Sequence, residues 1–316
     1  MTDAAAAAGG ATPPADLPVW PEALQPGRLV EVAPRVVRVV APNPGIMTGP
    51  GTNTYLIGAD RLVLIDPGPD DDQHLCVLLE AAGDRLGWIL VTHTHVDHSP
   101  LAARLHQATG AEVLGFGPAP GRQLDGMEAH DRAFVPQRLL VDGDRLDTGE
   151  LVFEAVYTPG HTSNHLCFEL GDTGLLFSGD HVMSGSTVVI APLDGNMADY
   201  LASLERIRRR PLRRIAPGHG DMIDDPGAVL DDYLRHRAER EAQVLGELRS
   251  APEGGWTAEQ LVTVIYVDVS EALRQVARHT VWAHLRKLGD EGRARSAESD
   301  DPAAPWYPAH LPQTGV

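Results

Sequence analysis

Residues 92–100 read THTHVDHSP, and four of them, His93, His95, Asp97 and His98, fall within six positions. Imidazole and carboxylate are the donors that a borderline cation such as zinc prefers. Burying three imidazoles and a carboxylate without a cation would leave several polar groups in need of partners. Three more donors stand in similar settings: His161 in TPGHT, Asp180 in LLFSGDH and His219 in RRIAPGHGD. Each follows an apolar run and a glycine-containing turn, which lets the backbone approach closely and frees the side chain. Five histidines and two aspartates at strand ends form the inventory of a two-metal site. Cations about 3.5–4 Å apart can share a water, lower its pKa towards neutrality and aim it at a carbonyl or phosphoryl centre. The hydroxyls of GHT, GST and SGD sit in no nucleophile-elbow pattern, so a serine mechanism is not indicated.

The surrounding pattern has to supply strands that end at these residues. RLVEVAPRVVRVVAPNPG reads as one or two strands, and NTYLIGADRLVLIDPG as a hairpin turning at residues 58–60. DDDQHLCVLLEAAG is amphipathic, opens on aspartates and stops at Gly83, which predicts a helix. WILV is a buried strand that hands over to the histidine loop, and PLAARLHQATG predicts the next helix, with Pro100 at its first turn. Strand-and-turn texture runs from Gln137 to Asp180, followed by the helix ADYLASLERIRRR and the strand RRIAPGHG. The fold class is therefore α/β: two sheets covered by helices, with the site along one edge. Residues 226–316 change texture to a long charged helix and two or three shorter ones, a small helical domain of winged-helix type. Residues 1–27, rich in Ala, Pro and Gly, are read as a disordered leader, and residues 28–225 as the catalytic domain.

The spacing His93-x-His95-x-Asp97-His98, with the later single donors in the same order, resembles the metallo-β-lactamase superfamily. That resemblance implies the αββα sandwich of the superfamily. It also implies that His93, His95 and His161 bind one metal, Asp97, His98 and His219 a second, and that Asp180 bridges. Zinc is the expected cofactor at both positions, with iron or manganese as alternatives for such a mixed donor set. Asp97 takes a double part as ligand and acceptor of the water's proton. Asp66 in LIDPG matches an early aspartate of the family and is counted with Asp97 in the catalytic set, as a support for the histidine loop. His165 is read as a structural histidine at a strand start, and Thr52, Asn53 and Thr54 as shapers of a turn. NPG…GTNTYLIG, YTPGHTSNHLCF, LLFSGD, PGHGDMI and the helical end are similar to the β-lactamase-like protein 2 branch. That branch includes a single-strand endoribonuclease, and related fungal acyl-carrier-protein thioesterases share its layout.

The expected activity is hydrolysis by a metal-held hydroxide, on an ester or thioester of a small molecule or acyl carrier. Single-strand RNA cleavage is the alternative within the same chemistry. A binding module with a structural metal site is the alternative outside it. The net charge of −18 argues against whole-surface attraction to nucleic acid or anionic membrane. Arg206, Arg208, Arg209, Arg210, Arg213 and Arg214 form a basic cluster read as a surface helix edge, and the bases of the last helices are outnumbered by acids. A homodimer face is another use for those charges. Cys76 and Cys167 are read as small buried hydrophobes of a reducing compartment. With no basic n-region or Leu-rich stretch at the start, the expected location is the cytoplasm, with no membrane partner.

Overall fold

Along the strand LVLI, Val63 and Ile65 face one core while Leu62 and Leu64 face another. That two-residue alternation builds both sheets. The computed structural model describes residues 19–119 and 130–309. The first sheet is formed by β1 (Leu29–Ala33), β2 (Val36–Val40), β3 (Asn53–Gly58), β4 (Leu62–Ile65), β5 (Leu86–Leu90), β6 (Glu112–Gly115) and β7 (Arg138–Leu139), in that spatial order. β1 to β4 are antiparallel neighbours joined by short connections, and β4 to β7 run parallel. The parallel steps from β4 to β5 and from β5 to β6 need crossovers. The helices α1 (Asp72–Ala82) and α2 (Leu101–Thr109) supply them.

The second sheet contains β8 (Arg145–Asp147), β9 (Val152–Tyr157), β10 (Leu166–Leu170), β11 (Leu175–Gly179) and β12 (Arg214–Pro217), in the order β12-β11-β10-β9-β8. Only β11 and β12 are parallel, and α3 (Met197–Arg208) makes that crossover. The sheets face each other across Tyr55, Ile57, Val63, Ile65, Phe153, Phe168 and Phe177. Val156, Cys167, Leu176 and Ile215 point the other way, onto α3. α1 and α2 cover the outer face of the first sheet through Leu78, Ala82, Leu101 and Leu105. The result is the expected four-layer αββα sandwich.

α4 (Pro226–Arg249) begins at Pro226, capped by the Asp225 carboxylate, which accepts from the Ala228 amide. Leu230 and Tyr233 pack into the catalytic core, whereas Val244 and Leu248 pack with the C-terminal helices. The helix therefore belongs to both units, and a boundary at 225/226 divides the chain but not the packing. α5 (Ala258–Ile265) and α6 (Glu271–Asp290) are followed by the small ribbon of β13 (Ala294–Arg295) and β14 (Tyr307–Pro308), which completes a winged helix.

Two expectations need correction. The leader does not run to residue 27, because Glu22–Leu24 form a short helical turn, Leu24 is buried, and Ala23 O accepts from Arg38. Residues 1–18 lie outside the described residues. Cys76 is exposed, since α1 buries His74, Leu78 and Ala82 at helical spacing and position 76 falls on the opposite side. Cys167 is buried as expected, and burial pushes its thiol up to about 12.

Candidate metal centre

β4, β5, β9, β11 and β12 all end at the same edge of the sandwich, and β3 begins there. Asp66 follows β4, the histidine loop follows β5, His161 follows β9, Asp180 follows β11 and His219 follows β12. Backbone bonds lock the edge: Asn53 N donates to Gly218 O at 2.7 Å, and Leu166 N donates to Thr92 O at 2.8 Å. All seven donors converge there, each at most 9 % exposed.

They form two groups, His93–His95–His161–Asp180 and Asp97–His98–His219. In the first, His95 Nδ1 lies 2.9 Å from His93 Nε2 and 3.2 Å from His161 Nε2, and Asp180 Oδ2 is 3.7 Å from His161 Nε2. In the second, His98 Nε2 is 3.4 Å from each of Asp97 Oδ2, Asp180 Oδ1 and His219 Nε2. His219 Nε2 is 3.2 Å from Asp97 Oδ2 and 3.3 Å from Asp180 Oδ1. Four donors held tetrahedrally about 2.0 Å from zinc would stand about 3.3 Å apart. The second group, with Asp180 Oδ1 as its fourth donor, has that spacing. Asp180 thus offers one oxygen to each group. Asp180 Oδ1 is buried and faces the ring nitrogens of His98 and His219 at 3.4 and 3.3 Å, as an oxygen placed to share a cation with them would. The residues fit a pair of metal ions.

The far ring nitrogens fix the tautomers. His161 Nδ1 donates to Val189 O at 2.9 Å, His219 Nδ1 to Gly51 O at 3.2 Å, and His98 Nδ1 to Asp66 Oδ2 at 2.8 Å. His161 thereby presents the Nε2 lone pair to the centre, and His98 and His219 would do so once a cation displaces the proton that the carboxylates hold at Nε2. Burial and the neighbouring imidazoles keep His93 and His95 well below the usual histidine range, and burial lowers His161, so the three imidazoles of the first group are neutral. In the second group burial alone would depress the histidines. The carboxylates of Asp180 and Asp97 outweigh it, pushing His219 up to about 10 and His98 well up. The same pairing holds both carboxyls well below their ordinary range despite burial.

Asp66 touches no position open to a substrate. Its Oδ1 accepts from Thr92 N and its Oδ2 from Thr92 Oγ1, both at 2.8 Å, so it braces the histidine loop from behind. It is a positioning residue rather than a catalytic one. His165 is fully buried, stacked 5.0 Å from His93, with Nδ1 against Thr158 Oγ1 and Nε2 accepting from Asp180 N.

Several supporting residues were not foreseen as such. Thr52 Oγ1 donates to Asp97 Oδ2 at 3.2 Å and is itself held by Asn43. Asn53 Nδ2 donates to Pro217 O and Gly220 O, so it clamps the His219 turn. His130 packs 4.7 Å from His95 and bridges Thr94 to Asp194. Asn164 donates to Thr94 Oγ1 and Gly117 O. The polar run TNT and the asparagine of TSNH were the only signals for these residues, and neither names a partner. Pro100 takes helical dihedrals just before Leu101, so the Ser99-Pro100 sequence leads directly into α2.

Residues 47–219 match the family described as the metallo-beta-lactamase superfamily, and residues 257–306 match the beta-lactamase associated winged helix domain. A beta-lactamase-like protein 2 homolog of Drosophila melanogaster is 33 % identical over 84 % of this chain and 91 % of its own. An atrochrysone carboxyl ACP thioesterase of a Cryptosporiopsis species is 29 % identical, covering 83 % of this chain and 82 % of its own. The crystal structure of a metallo-beta-lactamase family protein from Thermus thermophilus superposes with a TM-score of 0.72 at 22 % identity. That match covers 88 % of this chain and 100 % of the other, and shows the shared fold.

Proposed function

The chain belongs to the metallo-β-lactamase superfamily, in the branch of β-lactamase-like protein 2, and from that premise we propose a dinuclear zinc hydrolase of esters or thioesters. That it is a metal-dependent hydrolase follows from the family; the two zinc ions and the substrate are the proposal. The observation that carries it is the split carboxylate of Asp180, with one oxygen turned to each donor group. Bound there, the cations would supply a nucleophile ionised at neutral pH and take up charge on the reacting carbonyl. Thr52 holds one oxygen of Asp97, and the other, Oδ1, has no hydrogen-bond partner and is the group to receive the proton. Asp66, Val189 O and Gly51 O keep the imidazoles aimed, so the donor set is preorganised before a substrate arrives.

The surface supports an acyl substrate over RNA. Val96, between His95 and Asp97, is 40 % exposed and puts an apolar side chain at the edge of the site. Four of the six arginines of the basic cluster are paired at close range: Arg206 with Asp142, Arg208 with Asp231, Arg210 with Glu154 and Glu169, Arg214 with Asp224. In the winged-helix region Arg286 pairs with Asp300, and Lys287 and Arg293 pair with Glu241 and Glu291. A guanidinium group already paired with a carboxylate neutralises a phosphate less, so fewer counterions would leave an RNA backbone on binding. The thioesterase named among the relatives fits the same reading.

The test is a parallel assay of zinc- and manganese-loaded protein on acyl-thioesters, short single-stranded RNA and a simple phosphodiester. Thioester turnover that disappears on chelation and returns with zinc is expected. Salt-sensitive RNA cleavage with thioesters untouched would reject the reading in favour of a nuclease.

A further inference from the structure

His161 is held by a segment that has no regular structure of its own. Val188, Val189 and Ile190 lie between β11 and α3, and Val188 and Ile190 are buried. A buried segment outside helix and sheet must find partners for its peptide groups among side chains or neighbouring loops. Three consecutive residues here are gripped. Val189 O accepts from His161 Nδ1 at 2.9 Å, Val188 O accepts from Arg237 Nη2, and Ile190 N donates to Thr280 Oγ1 at 3.3 Å. Arg237 lies on α4 and Thr280 on α6, and both are buried. Arg237 also stacks 5.4 Å over the Tyr200 ring, and Tyr200 Oη donates to the carbonyl of His181, the residue after Asp180.

A carbonyl that receives a ligand's far N–H sets both the tautomer and the tilt of that ring. The position of Val189 O is in turn set by what holds the peptides on either side. We propose that Thr280 and Arg237 are positioning residues for the first metal site, through which the C-terminal helices set how tightly His161 holds its cation. The inference rests on the metallohydrolase reading for the cation and adds a task for the C-terminal region that needs no contact with substrate. Mere packing between the two units would instead leave the affinity of the site independent of these two bonds.

The test measures zinc affinity of the full chain by competition with a chromophoric chelator. Thr280→Val removes the acceptor for Ile190 N while keeping the side-chain shape, and Thr280→Ser restores it. The valine variant is expected to weaken one of the two zinc ions about tenfold, the lower end for a residue that orients a ligand, with serine within about twofold of the wild type. In a His161→Ala background the valine change is expected to do nothing, because the group it acts through is gone. Arg237→Met is expected to act in the same direction and through the same dependence on His161. Unchanged affinity in Thr280→Val, or an equal loss with and without His161, would overturn the proposal while leaving the hydrolase reading intact. A wild-type chain that binds no zinc would instead remove both.

Discussion

Asp66 Oδ2 lies 2.8 Å from His98 Nδ1, on the side of the ring opposite the donor atom Nε2. The same carboxylate takes two bonds from Thr92, so one buried side chain sets both the start of the histidine loop and the aim of its last histidine. Asp66 has φ 51°, a left-handed conformation that asparagine also tolerates. Asp66→Asn therefore tests charge and hydrogen bonding without straining the backbone. Zinc affinity at the Asp97–His98–His219 group is expected to fall about 10- to 100-fold, with the fold retained. Isothermal titration alongside far-UV dichroism checks this, and unchanged binding would remove Asp66 from the design of the site.

The second donor group gives the metal-free chain a distinctive pH dependence. The folded pKa of His219 is raised to about 10 from an ordinary 6.5, so its contribution to stability is fully present below pH 6.5. That contribution is lost as pH rises through about 10. Cation binding must displace the same protons, so zinc affinity rises over that range. Chelator-treated protein is expected to lose Tm from pH 6.5 towards 10, and zinc-loaded protein to hold it. Scanning calorimetry with and without chelator reads the two curves, and parallel curves would contradict the protonated His219–Asp180 pair.

The convergence of the seven candidate donors was readable from sequence because all follow apolar strands, three of them directly after a glycine, and strands in one sandwich end at a common edge. Asp66 was readable for the same reason, but its support of the histidine loop was given only by the family resemblance. Whether a carboxylate at a strand end ligates or braces depends on the pairing of β4 with β5, in which Ile65 stands level with Leu90 so that Asp66 comes up behind Thr92, a register that periodicity does not contain. The Thr52–Asp97 bond escaped notice because it joins two loops across 45 positions. His130 follows a segment with no periodic pattern, and its neighbour Asp194 sits in a loop of similar character. The ion pairs of the arginine cluster, read as a surface helix edge, were not legible in sequence because the acid partners Asp142, Glu154, Glu169, Asp224 and Asp231 are scattered over ninety positions. Cys76 misled for a different reason: an apolar neighbourhood in sequence is not an apolar face on a helix.

Glu241 links α4 to α6 and the wing. Its oxygens lie 2.7 Å from Lys287 Nζ, 3.0 Å from Arg293 Nη1 and 3.7 Å from His284 Nδ1. Burial alone would lift its pKa, but His284 and Lys287 outweigh that and hold it at about 2. Its stabilising contribution is therefore complete above pH 4.5 and lost as pH falls through about 2. Glu241→Gln is expected to cost about 2 kcal/mol at pH 7, less than a fully buried pair because the cluster edge is wet. Urea titrations should show the gap from the wild type narrowing as pH drops from 4.5 towards 3, and a constant gap would mean that charge is not the cause.

Gly218 gives the sharpest test of the site, because its hydrogen bonds press the backbone against the donors. Its N–H donates to Gly179 O at 2.8 Å and its carbonyl accepts from Asn53, so it cannot retreat from the edge. A Cβ placed there would stand 2.5 Å from Asp180 Oδ1, 2.9 Å from His98 Cε1 and 3.0 Å from the Gly179 carbonyl carbon. The atom that must yield belongs to the carboxylate shared by both donor groups, so one methyl group should disturb both cations. Gly218→Ala is expected to lower zinc affinity at both sites at least about tenfold and hydrolysis by more, while the dichroism spectrum stays unchanged. Gly246→Ala is the matched control, since a Cβ there meets nothing within 4 Å. In the interior of α4 that change should leave metal binding alone and stabilise the chain by about 0.5–1 kcal/mol. Two zinc ions bound by Gly218→Ala at wild-type affinity would mean that Asp180 is not held where both groups need it.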